Sequence, residues 1–167
     1  MVSISIKVSI PEKKFASKKW LETIARAQRA GTVRQLKDLF GKTVYGWSKK
    51  PGFGWSQIKT HDEIGIQMYA QGEGADVYAL LNAGSPPHEI RPKTQGGILS
   101  FRPGYLASTT PGQLMSRRAY RSGKFVTARK VNHPGFAPRK FTEMIRDAYI
   151  NDFAMEMQAA VSEAAKT

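Results

Sequence analysis

Cysteine is absent from this 167-residue chain, which excludes disulfide frameworks, thiolate nucleophiles and cysteine metal sites and fits a reducing cytoplasm. No run of about 18 apolar residues occurs, so nothing reads as a membrane-spanning helix. The amino-terminal stretch alternates apolar residues with Ser and Lys where a secretion signal needs an unbroken apolar core, so a soluble, non-secreted protein is expected. Neither a Gly-x-x-x-x-Gly-Lys-Ser/Thr phosphate loop nor a Gly-x-Ser-x-Gly elbow is present. There are three histidines, His61, His88 and His133, and none has metal-ligand spacing. The expectation is therefore no enzyme, no cofactor and no metal. A small hydrolase using His133 is the weakest reading carried forward.

Acidic side chains are also scarce, 13 against 26 Lys and Arg, giving a net charge of +13. The excess is segregated: residues 1–50 carry net +9 and residues 101–150 net +8, while the other two stretches are each −2. Such a field suggests a polyanionic neighbour, most simply nucleic acid, or else a solvated repulsive surface. The hydrophobic fraction of 41% and charged fraction of 23% are those of a globular chain. A chain of this size forms one domain, residues 1–167, and buries roughly 70% of its unfolded surface.

Val2, Ile4, Ile6, Val8 and Ile10 alternate with polar residues, which predicts a half-buried strand. Pro11 ends it and opens a helix with the stripe Ala16, Trp20, Ile24 and Ala27, flanked by Leu21 and Ala25. Gly31 interrupts or ends that helix, and Val33, Leu36, Leu39 and Phe40 form a second stripe closed by Gly41. The aromatic run Tyr45 to Trp55 reads as a strand and turn filling the core, or as a base-stacking platform. Ile64, Ile66 and Met68 predict another strand; Val77 to Leu81 is a short helix or an irregular approach to a turn. His88–Arg91 and Ile98–Phe101 look like a hairpin around Gln95-Gly96-Gly97, with Phe125 to Val131 returning to the same sheet. A mobile basic loop is expected at 103–124, because compact domains favour connections of about 4–6 residues. Phe141, Ile145, Tyr149, Phe153, Met157 and Val161 recur every four, predicting a long amphipathic C-terminal helix. The fold class is α+β: a predominantly antiparallel sheet packed by an N-terminal helical region and that helix.

Two segments concentrate Gly, Pro, His and a cation: Asn82 to Lys93, containing Gly84-Ser85-Pro86-Pro87-His88, and His133-Pro134-Gly135-Phe136 followed by Arg139 and Phe141. Gly84 and Gly135 can supply positive φ, and the prolines freeze the flanking chain, so both are rigid corners. His88 and His133 each abut a proline and read as ligands of the turn backbone.

The order of these motifs, with Ile90, Lys93 and Leu99-Ser100-Phe101 between them, resembles the tail-completion and head–tail joining (neck) proteins of tailed bacteriophages, over roughly Trp47 to Ala160. In that family the last turn more often reads Arg-Pro-Phe; here it is Pro138-Arg139-Lys140-Phe141. The resemblance implies a virion structural protein, assembled in the host cytoplasm. It would form a ring of roughly six or twelve subunits between connector and tail. The turn and assembly residues it implies are Gly84, Pro86, Pro87, His88, His133, Pro134, Gly135, Arg139 and Phe141. Packaged double-stranded DNA would be held without sequence readout by Arg117, Arg118, Arg121 and Lys124, then by Lys13, Lys14, Lys18 and Lys19. These cations could equally face acidic patches at Asp62-Glu63 and Glu73–Asp76 of a neighbour. The alternative is a basic nucleic-acid-binding accessory protein without ring assembly.

Overall fold

The computed structural model describes residues 3–9, 18–60 and 63–166. Pro11, Lys13, Lys14, Ala16, His61 and Asp62 lie outside the described residues, as do the side chains of Lys18 and Lys19.

Strands β1 (Ser3–Ser9), β2 (Gly52–Lys59) and β3 (Glu63–Gln71) form an antiparallel sheet in the order β1-β3-β2. The register sets Ile4 opposite Met68 and Ile6 opposite Ile66; on the other edge Trp55 faces Met68 and Phe53 faces Ala70. Alternate side chains of a strand share a face, so one face is apolar while Ser3, Ser5 and Gln67 mark the other. Helices α1 (Lys18–Ala30), α2 (Thr32–Thr43) and α4 (Phe141–Ala164) pack on the apolar face. The sequence stripes hold: Trp20 and Ile24 of α1, Val33, Leu36 and Phe40 of α2, and Phe141, Ile145, Tyr149, Phe153 and Met157 of α4 are all buried. The α+β reading is therefore the observed architecture.

Gly31 separates the first two helices as expected, but Gly41 does not close the second. Thr43 is buried and donates its hydroxyl to Phe40 O at 2.7 Å, so tertiary burial carries the helix past a residue of poor propensity. In the aromatic run, Trp47, Phe53 and Trp55 pack against the core, whereas Tyr45 is 74% exposed.

One polar cluster ties α2 to α4. Glu156 accepts hydrogen bonds from Tyr149 Oη at 2.6 Å, Gln35 Nε2 at 2.5 Å and Thr32 Oγ1 at 3.3 Å. Burial, and then the hydrogen bond to this carboxylate, push the Tyr149 hydroxyl well above its ordinary range, so it remains a donor. Glu156→Ala strands the buried Tyr149 and Thr32 donors and should destabilise the fold by about 1–3 kcal/mol. Urea denaturation measures this, and Glu156→Gln should retain part of the loss.

The rest of the chain leaves the body after α3 (Ala75–Ala83) and returns at α4. It forms a two-stranded antiparallel arm of three short ladders: β4 (His88–Ile90) with β9 (Val131–His133), β5 (Leu99–Phe101) with β8 (Val126–Ala128), and β6 (Gly104–Leu106) with β7 (Tyr120–Ser122). One expectation is corrected: β4 and β5 are not a hairpin with each other. The stretch Phe125 to Val131 does return to them, β8 pairing with β5 and Val131 standing opposite Ile90. Eight residues with Pro92 separate Ile90 from Leu99, too long and too irregular for a tight hairpin turn. The expected turn exists, with Gly97 N donating to Thr94 O at 3.0 Å, but it is an excursion within one side of the arm. The 103–124 segment contains β6 and β7. None of the described helices is long and apolar enough to cross a membrane.

Candidate functional site

The two Gly/Pro/His segments meet. Ser85 and Phe136 exchange both backbone hydrogen bonds, at 3.0 and 2.9 Å, and form the root of the arm. Gly84 has φ 80° and Gly135 φ 79°, the left-handed geometry the sequence called for. A Cβ on Gly135 would stand 2.3 Å from Ser85 O, so glycine is required there for space as well as for conformation.

His88 and His133 are cross-strand partners with rings stacked 5.1 Å apart at 26°. His88 Nδ1 donates to Pro86 O at 2.9 Å, which fixes its tautomer; His133 Nδ1 accepts the Gly135 N–H at 3.0 Å, which fixes the opposite one. Each imidazole is spent on its own turn. Among the described residues no group of three or more His, Asp and Glu is arranged to hold a metal ion.

The entry to α4 explains the Pro-Arg-Lys-Phe departure. Arg139 N donates to Leu81 O at 2.9 Å and Lys140 N to Asn82 O at 3.2 Å. Lys140 then turns at φ 54°, the one non-glycine residue with positive φ among those described. It offers no side-chain cap to the helix. Asn82 does so from α3, its Oδ1 accepting Thr142 N at 3.1 Å and Thr142 Oγ1 at 3.4 Å. Helix N-termini need such an acceptor for their free N–H groups, and here it is supplied across the root of the arm. Phe141 follows, fully buried and stacked on Tyr78 at 5.1 Å. It is a core anchor.

The arm arches back, and its far end rests on the body. Ser116 N donates to Lys42 O at 3.1 Å, Gly46 N donates to Ser116 Oγ at 2.8 Å, and Arg117 N closes the tip on Ser108 O at 2.8 Å. Beneath the arch lies an open cleft of about 1570 Å³. Its cations are Lys49, Lys50, Arg117, Arg118, Arg121 and Arg139, against the acid Glu73, which Lys49 engages at 2.5 Å. The Arg139 Nε is buried and meets no hydrogen-bond acceptor, while its guanidinium lies 5.9 Å from the Phe136 ring. The acid of the arm, Glu89, is tied to Arg91 and to Lys130, whose hydrogen bonds hold it below the usual carboxylate range.

The structure thus gathers Arg117, Arg118 and Arg121 of the expected phosphate contacts. Lys124 sits apart, exposed on the turn between β7 and β8, and does not line the cleft. Lys18 and Lys19 open α1. Sequence reading missed Lys49 and Lys50 as cleft cations, because they sit in a run whose aromatics pointed to core. It also assigned Arg139 to a turn alone. No family model, no curated protein and no solved structure matches this chain.

Proposed function

We propose that this protein is a virion structural component of a tailed bacteriophage. It forms a ring at the neck or head-proximal end of the tail, joins connector to tail and lines the DNA path. One observation carries this reading: the segments 84–88 and 133–136, on which the resemblance rests, form one hydrogen-bonded root of the arm. A rigid root lets each copy present its arm at one repeated angle, and head-to-tail contacts close into a ring when that rotation closes. The cations under the arch then hold phosphate as point charges, independently of sequence.

Native mass spectrometry and electron microscopy of the purified protein should find a closed ring of roughly six or twelve copies. The triple variant Arg117→Ala/Arg118→Ala/Arg121→Ala should keep the ring and reduce the salt dependence of duplex-DNA binding, lowering the log–log slope by about 2–3. A protein that binds duplex with that slope yet stays monomeric would instead be the accessory nucleic-acid-binding protein. An unchanged slope would remove these arginines from the DNA path.

A further inference from the structure

The arm is poorly satisfied where it lies. Its six strands pack chiefly on one another, not on the helices or the main sheet. Large apolar side chains stay open along it, with Ile98 64%, Tyr120 63%, Phe125 65% and Met115 67% exposed. Four large apolar side chains exposed on one arm are surface that a partner could cover. The cleft beneath the arch is a further space that the arm spans without filling.

The tip, by contrast, is closely fitted. Ser116 is 4% and Thr109 3% exposed, and the backbone of Gly46 lies against that of Arg117: a Cβ on Gly46 would stand 2.1 Å from Arg117 O. A specific socket, Lys42 to Gly46, therefore holds a specific plug at the end of a long arm. Three hydrogen bonds join them: Ser116 N and Ser116 Oγ both donate to Lys42 O, and Gly46 N donates to Ser116 Oγ.

We propose that in the assembled protein the plug, residues 107–119, seats in the socket of a neighbouring copy instead of its own. The partner is a second copy of this chain, and the proposal rests on the ring reading above. Plug and socket make the same contacts within one chain or between two, so exchange loses none of them. What the exchange gains is cover for the open apolar faces of the arm, which would then lie along the neighbour. In the free subunit the intramolecular contact wins, because an attached plug has an effective concentration in the millimolar range. The directionality is head-to-tail, since plug and socket are different surfaces, and such contacts propagate around an axis.

The absence of cysteine makes the test direct. Ser116 N lies 3.1 Å from Lys42 O, so Lys42→Cys/Ser116→Cys supplies one thiol on each side of the contact, to be joined directly by oxidation or through a short thiol-to-thiol cross-linker. After either treatment of the assembled protein, non-reducing gels should show covalent dimers and higher multimers, with neither single variant doing so. Oligomers in which every cross-link stays within one chain would overturn the exchange and leave the ring intact. Monomers with internal cross-links would overturn both. As a second variant, Gly46→Ala should expel the plug, reduce the oligomer at least about tenfold and speed trypsin cleavage after Arg117 and Arg118, whose backbone is then no longer held in the socket, while the melting of the helical body is unchanged. Assembly of Gly46→Ala at the wild-type level would refute the proposal.

Discussion

Gly135→Ala is expected to break the root of the arm. The left-handed backbone at this position costs a residue with a Cβ about 1–2 kcal/mol. The added methyl would also lie 2.3 Å from Ser85 O and within 3 Å of the Pro86 backbone, and neither group is a flexible side-chain end that can yield. Relief requires the two sides of the root to separate, which sacrifices the Ser85–Phe136 pair of hydrogen bonds at about 0.5–1.5 kcal/mol each. The total is about 3 kcal/mol, and urea denaturation together with hydrogen exchange at the Ser85 and Phe136 amides would report it. Gly112→Ala is the matched control: its φ is 75° but nothing lies within 4 Å of the added Cβ, so it should lose only the conformational part. Equal losses at the two positions would show that the root accommodates the methyl group.

Phe141→Ala should have the largest effect on the body. The ring is fully buried and stacks on Tyr78, which in turn contacts Phe40, Trp47 and Phe53 at 5.5–6.1 Å. Removing it leaves a cavity where α4 begins and loosens the wall behind the arm, for a loss of about 3–5 kcal/mol. Burial already raises the Tyr78 hydroxyl well above its ordinary range, so water entering that cavity should bring its titration back toward normal. Phe141→Leu, which keeps most of the volume, should lose less than half as much in the same denaturation experiment. A Phe141→Ala protein with wild-type stability would mean the surrounding rings collapse into the gap.

The elements of the body were legible because their patterns are periodic. Alternation over Ile4 and Ile6, and the four-residue recurrence from Phe141 to Met157, each correspond to one buried face. Partner choice in the arm was legible only in the return of Phe125 to Val131 to the strands before it. Its strands are three residues each, too short for a hydrophobic alternation to specify register, and the nearest candidate turn was taken for a hairpin. The cleft was hidden for a related reason: Gly46 and Ser116 meet across 70 positions of sequence, and local reading saw only an aromatic run and a basic loop. Asn82 was visible in its motif, but a cap is normally sought just before its helix, whereas this one lies 60 positions ahead of Thr142. The positive φ of Gly84 and Gly135 and the turn-bound histidines were readable, since glycine and proline narrow the backbone options locally.

The junction where Asn82 reaches across to Thr142 has a mechanical consequence. Both sides of the arm emerge there side by side, so a pull applied at the far end travels down two covalent backbones in parallel. The cross-strand ladders, whose hydrogen bonds run perpendicular to that line, carry almost none of the load. It arrives at the ends of two helices already lashed together, one short and one running along the whole body. Once the tip has left Lys42 and Gly46, traction on the arm is thereby delivered to both helices together.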